Sequence, residues 1–253
     1  MGITNLTRVF STNALFILLF FGFGCTSLKV GESWKMAPKD QTIGLTLLWE
    51  LPEAQLKAML PADQQPRIRN GKGVLMLFLA HTKAYSLGAE PKGPLGVAHL
   101  IVPLDGSIAL PSTLVAKKQA LFSVLKQLDF AVEEGEVSLN LQESSGSTNV
   151  QGSLVFPEGS LTFSGSTTAP KGNLVDLPQT TLVGKFHHTN LLSGPESYRP
   201  IPFEKIEIQA DGQHWMSRFG LTSPPDRIWV NVDFGVEFFY FKKLNAVKLI
   251  KQR

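Results

Sequence analysis

Two adjacent lysines, Lys117 and Lys118, are the side chains best suited to covalent chemistry in this 253-residue chain. A lysine attacks a keto group only as a neutral amine, and free lysine titrates at about 10.4. Desolvation and a neighbouring cation both lower that value, and a second lysine alongside supplies the cation. The iminium formed there would act as an electron sink for carbon–carbon cleavage. At about 100° per residue, Leu114, Leu121, Phe122, Leu125 and Leu128 share one helical arc, with Lys118 inside it and Lys117 at its edge. An amine so placed is partly desolvated, or snorkels to water. Two surface lysines on an amphipathic helix fit the same residues.

Other chemistry has less support. Arg67 and Arg69, just before Gly71-Lys72-Gly73, can each grip a carboxylate through a bidentate fork. Exposed loop arginines explain them equally. His187 and His188 would face opposite sides of a strand, and His81, His99 and His214 are scattered, so no metal site is expected. There is no Gly-x-Ser-x-Gly, and Gly71-Lys72-Gly73 lacks the spacing and the Ser/Thr of a phosphate loop. No cofactor is expected. Phe238, Phe239, Tyr240 and Phe241 would alternate between the two faces of a strand, lining a cavity or a core.

The elements that must position these groups read mainly as strands. Residues 43–49, 74–80 and 97–104 are apolar runs suited to buried strands. Pro52 opens a short helix carrying Leu56, Met59 and Leu60, and Pro61 stops it. Residues 112–130 read as a second helix, capped by Ser112 or Thr113. Beyond Gly135 short alternating runs follow: 137–141, 154–156, 161–163, 201–208 and 228–234, the last with Ile228, Val230, Val232 and Phe234 on one face and Trp229, Asn231 and Asp233 on the other. With 22 Gly and 16 Pro, the chain reads as a mainly β (α+β) barrel or cone with one or two short helices.

With 43% hydrophobic and 18% charged residues, the chain is not intrinsically disordered. Its 24 Lys+Arg against 21 Asp+Glu are scattered, with a small cluster only at Lys248, Lys251 and Arg253, so no nucleic-acid partner is expected. Residues 14–24 are uncharged and apolar, too short for a comfortable span of about 20 residues, and suit the hydrophobic region of a signal peptide. Cys25, the single cysteine, follows at once. Gly22-Phe23-Gly24-Cys25 resembles a bacterial lipobox, in which the cysteine is acylated and becomes the amino terminus. A buried thiol or an uncleaved anchor are the alternatives. The expected organisation is a signal peptide over 1–24, a lipidated tether over 25–41 and a single β-rich domain over 42–253. The lipobox resemblance implies a bacterial envelope protein whose partner is membrane lipid, reached through acylated Cys25. Thr26, standing where inner-membrane lipoproteins carry Asp, points to the outer membrane.

The order of elements resembles the acetoacetate decarboxylase-like superfamily. Its carriers are the helix from Leu56 to Pro61 followed by Gly71-Lys72-Gly73, then Gly93-Pro94-Leu95-Gly96 leading into the 97–103 strand. Ala116-Lys117-Lys118-Gln119-Ala120 stands where that family has its lysine pair, and Val236-Glu237-Phe238-Phe239-Tyr240 stands at its closing strand. The likeness implies the family's cone-shaped fold over residues 42–244 and, where chemistry carries over, Schiff-base catalysis at Lys117 or Lys118. The lysine whose pKa is depressed by a neighbouring cation is known from acetoacetate decarboxylase itself, so that device rests on the resemblance. The chain also departs from the family. Val115 and Ala116 precede the lysines where the family has an aromatic and a proline. His99, and no carboxylate, occupies the strand that carries the family's substrate-positioning glutamate. The expectation is therefore an envelope lipoprotein that binds a small carboxylate or keto ligand without converting it. The alternatives are a carbon–carbon lyase using Lys117 or Lys118, with His99 or an arginine orienting a substrate carboxylate, and a structural lipoprotein with no ligand.

Overall fold

The computed structural model describes residues 33–35, 42–87, 90–127, 130–177, 180–183, 190–193, 196–212, 217, 219, 221, 223–235 and 237–241. The expected signal peptide, Cys25, His187, His188, His214 and the basic C-terminus lie outside them.

In chain order the elements begin with strands β1 (Ser33–Lys35) and β2 (Thr42–Pro52), helix α1 (Glu53–Ala58), then β3 (Ile68–Arg69), β4 (Lys72–Thr82), β5 (Tyr85–Leu87) and β6 (Glu90–Lys92). They continue with β7 (Leu95–Pro103), β8 (Ser107–Val115), helix α2 (Ala120–Gln127), β9 (Val132–Glu134), β10 (Glu136–Ser144), β11 (Ser147–Phe156) and β12 (Gly159–Thr167). The last are β13 (Val175–Leu177), β14 (Thr180–Val183), β15 (Asn190–Ser193), β16 (Glu196–Phe203), β17 (Glu207–Gly212), β18 (Arg227–Gly235) and β19 (Glu237–Phe241). Three residues of the segment read as a tether thus form β1, which pairs antiparallel with β19.

Thirteen strands make one sheet in the order β1-β19-β15-β14-β8-β7-β4-β2-β18-β16-β13, with β3 added to β4 and β9 to β8. A four-stranded meander, β10-β11-β12-β17, is separate, and β5 and β6 form a small hairpin. The chain is mainly β, as expected, and of the one or two short helices expected it has two among the described residues. Among the described residues the large sheet is an open, cone-like surface whose strand order does not close into a barrel.

The central strands β2, β4, β7 and β8 are buried on both faces. That explains their near-continuous apolar runs, which alternation alone would not produce. One face packs against the meander and α1: Leu45, Leu47, Leu79, Ala98 and Leu100 meet Leu139, Val150, Leu161 and Phe163. The other is covered by α2: Met76, Phe78, Val97 and Val115 meet Leu121, Phe122 and Leu125. The meander, covered on one side only, alternates buried and exposed residues along β10.

Residues 112–130 are not one helix. Ser112, Thr113 and Leu114 belong to β8, which pairs with β7 on one side and with β14 and β9 on the other, and the helix begins only at Ala120. Pairing on both edges outweighs the helical spacing of the leucines. Pro111, which has no amide hydrogen to give a ladder, sits where the register slips between Leu100 and Val102. A second departure lies in β18. Asp233 has φ +53°, opposite a register shift between Ser197 and Arg199. This bulge turns Phe234 onto the α2-covered face, away from Ile228, Val230 and Val232.

Two glycines permit close approach. Gly44 lets the Phe78 ring lie across β2, since a Cβ there would stand 2.7 Å from Phe78 Cζ. At Gly96 a Cβ would overlap the carbonyl oxygen of Val137, where the meander meets the large sheet. Gly96→Ala is therefore expected to cost about 1–3 kcal/mol. Gly93→Ala, with nothing within 4 Å of its added methyl, should stay within about 0.5 kcal/mol of the parent. Urea denaturation of both variants checks the contrast; equal stabilities would refute the close-packed junction.

Candidate functional site

Lys117 and Lys118 fall in the turn between β8 and α2. That turn is held by Gln119 N–H donating to the Ala116 carbonyl at 2.8 Å and by the Gln119 side-chain amide donating to the Pro94 carbonyl at 3.1 Å. Neither lysine lies in a helical apolar arc. Their side chains are 70% and 75% exposed. Lys117 Nζ faces Glu134 at 3.9 Å and Lys118 Nζ faces Glu136 at 3.1 Å. The two glutamates flank Gly135, whose added Cβ would strike Leu114 and the Val155 carbonyl. Charged pairs and the apolar Val155, Phe156 and Pro157 line an open groove of about 380 Å³. Such exposed pairs contribute about 0–1 kcal/mol each. Each amine is solvated and meets a carboxylate, so the desolvation that would favour a neutral nucleophile is missing.

His99 has the opposite surroundings. On β7 it faces the α2-covered side and is fully buried, with Nδ1 2.8 Å from Thr113 Oγ1 on β8. Burial holds its pKa down at about 3, so the ring is neutral at physiological pH. It cannot serve as the cation expected to orient a carboxylate. Its Nε2 has no hydrogen-bond partner among the described residues. The register runs from Thr113 through His99 and Phe78 to Thr46 and Trp229. Thr46 Oγ1 accepts from Asn231 Nδ2 at 3.0 Å, and Asn231 Oδ1 also has no partner among the described residues. Turning that amide over exchanges the atom that meets Thr46 and leaves the other free. Nearby, Thr42 donates to Thr82 at 2.9 Å, and Thr82 to the Ala84 carbonyl at 2.7 Å. These buried groups are all uncharged. Phe78 and Phe234 pack beside them, ring centroids 6.0 Å apart.

His81 lies on the other face and is half-buried, with Nδ1 unpartnered; burial and the charge of Lys83 lower its pKa. Arg67 and Arg69 stand at the far end of the large sheet. Arg69 pairs with Lys72 at the start of β4, whereas Val115 pairs through Val97 with Ala80 near its end. Eight residues along β4 put about 26 Å between those ends. The fold thus separates the lysines, the arginines and His99 into three places. Among the described residues no group of three or more His, Cys, Asp or Glu comes together to hold a metal. No helix among them is long and apolar enough to cross a membrane. Asn231 and the role of Thr113 escaped the sequence reading. The signal for Asn231 was present, an amide between Val230 and Val232 in a strand of buried residues.

No protein-family model matches the chain, and no curated protein is significantly similar to it. Solved structures do match. An acetoacetate decarboxylase-like enzyme from Sphingomonas wittichii superposes with TM-score 0.56 at 13% identity, over 84% of this chain and 92% of that one. Acetoacetate decarboxylase from Legionella pneumophila superposes with TM-score 0.53 at 11% identity, over 87% and 91%. At these identities the likeness is one of fold. The chain has the acetoacetate decarboxylase-like fold.

Burial of His99 has a measurable consequence. Its folded pKa of about 3 lies below the ordinary 6.5, so between those values the unfolded chain binds the extra proton. Stability is unaffected above pH 6.5 and falls by about 1.4 kcal/mol per pH unit as the pH drops towards 3. In His99→Phe that loss is absent, and the stability gap between variant and parent should shift accordingly from pH 6.5 to 4. Urea denaturation across that range would show parallel profiles if His99 were not sequestered.

Proposed function

We propose that this protein is a lipid-anchored component of the bacterial cell envelope, held through acylated Cys25 and most consistent with the outer membrane. Its β domain binds a small organic ligand and does not convert it through a lysine. The observation that carries this reading is the placement of Lys117 and Lys118, both solvated and opposite glutamates. Support for a ligand comes from the fold shared with acetoacetate decarboxylase-like enzymes. Support for the anchor comes from the apolar segment that ends at Cys25.

The fold likeness favours a second reading, a carbon–carbon lyase acting through an imine. In it the lysine amine adds to a keto group, water leaves, and the iminium accepts the electron pair released by decarboxylation. Incubation of the detergent-purified full chain with acetoacetate and borohydride separates the two. Reduction would convert any imine to a stable secondary amine, visible by intact mass and peptide mapping. The expected result is no adduct at Lys117 or Lys118 under conditions that label an acetoacetate decarboxylase control. An adduct abolished by Lys117→Ala or Lys118→Ala would establish the lyase instead.

The anchor has its own test. Each buried acyl methylene contributes about 0.8 kcal/mol to membrane residence. The parent expressed in a bacterial host should incorporate labelled palmitate and sediment with membranes, and Cys25→Ser should do neither. An unlabelled parent would refute the anchor.

A further inference from the structure

We propose that the outer face of the meander β10-β11-β12-β17 is a docking surface for an uncharged polyhydroxylated polymer, a neutral polysaccharide chain. This goes beyond the proposed function and does not rest on it. Alternation along the four strands sends one set of side chains into the core and the other outward. The register aligns the outward set in rows across the sheet. One row is Ser138, Ser153, Thr162 and Gln209. The next is Asn140, Gln151, Ser164 and Glu207. All eight are exposed or half-exposed. At about 4.8 Å between strands and about 3.4 Å per residue, the face spans about 14 Å by about 27 Å. Its outward positions carry hydroxyl or amide groups, except for Val155 and three carboxylates, Glu136, Glu207 and Asp211.

The composition of this face selects its partner. Lys and Arg are absent from its outward positions, and the Lys118 ammonium at one corner already meets Glu136 at 3.1 Å. A nucleic acid or another polyanion would meet carboxylates and no free cation. Protein interfaces are anchored by aromatic and Arg side chains, and the face has neither. Docking on a lipid surface needs basic and apolar residues together, and the face offers a single Val. What it does offer is dense, neutral hydrogen bonding. A chain of hydroxyl groups complements it, because each hydroxyl both donates and accepts and no ion is desolvated. The array is already partly ordered. The Ser138 and Ser153 hydroxyls lie 2.7 Å apart, as do those of Ser144 and Ser147. Such a pair uses one hydrogen internally and keeps the second for a partner. The Gln209 amide donates to Glu207 at 2.9 Å. Any one bond to a partner replaces a bond to water and contributes little, so affinity accumulates along a polymer.

Dextran, dextran sulfate and isomaltotriose test this. The first two share a backbone and differ in charge, and the third is a short piece of the first. Each is titrated calorimetrically into the full chain, purified in a polyoxyethylene detergent that presents no sugar. Dextran should bind at least tenfold more tightly than isomaltotriose per glucose unit. Asn140→Ala, Gln151→Ala and Ser164→Ala combined, first shown to be folded by urea denaturation, should weaken dextran binding at least fivefold. Any binding of dextran sulfate, acting through basic residues elsewhere, should be unchanged by them. Thr162→Val, which keeps the shape of its side chain, should weaken dextran binding in the same direction if the combined variant does not fold. Absence of dextran binding, or binding untouched by these substitutions, would overturn the inference. Dextran sulfate binding lost in the same variants would overturn it too, assigning the face to a polyanion. The small-ligand reading, tested at Lys117 and Lys118, stands or falls separately.

Discussion

The large sheet is buried on both faces, and the rest of the molecule follows from that constraint. A strand covered on two sides has few positions for a charge and nowhere to leave a backbone group unpaired. So β2, β4, β7 and β8 are apolar almost throughout, and their buried polar side chains are uncharged, with bonds across strands from Thr42 to Thr82, from His99 to Thr113 and from Asn231 on β18 to Thr46. The same constraint demands glycine wherever two layers or a ring must come close, as at Gly44 and Gly96. In this interior His99 Nε2 and Asn231 Oδ1 have no hydrogen-bond partner among the described residues.

The constraint also decides where the lysines go. Because β8 is paired on both edges as far as Val115, the chain must clear the sheet before it can turn into α2. Lys117 and Lys118 occupy that turn, and Glu134 and Glu136, at the corner between β9 and β10, pair with them on the exposed surface. A lysine pair alone does not make an imine-forming site, which also needs a dry cavity around the amine. Here the dry surroundings belong to a neutral imidazole. Fold and chemistry are thus separable in this chain, as in other widely reused folds.

Much of the architecture was readable from residues alone. The apolar runs at 74–80 and 97–104 pointed to buried strands, and Pro52 with Leu56 pointed to α1. The order of elements was enough to suggest the fold that the solved structures share. The failures have physical causes. Leu114, Leu121 and Leu125 do fall at helical spacing, but Leu114 is claimed by strand pairing and the other two by α2. The positive φ of Asp233 shifts Phe234 to the other face, and no alternation rule anticipates a bulge. Asn231 became a candidate only when the register set it beside Thr46 on one buried face. Its significance is tertiary.

The most direct measurement is the protonation state of His99, read from the ring nitrogen resonances of the folded protein between pH 4 and 8. The account predicts a ring that stays neutral, in one tautomer, throughout that range. A ring that takes up a proton near pH 6.5 would contradict it, because the buried face would then carry a cation able to pair with a carboxylate.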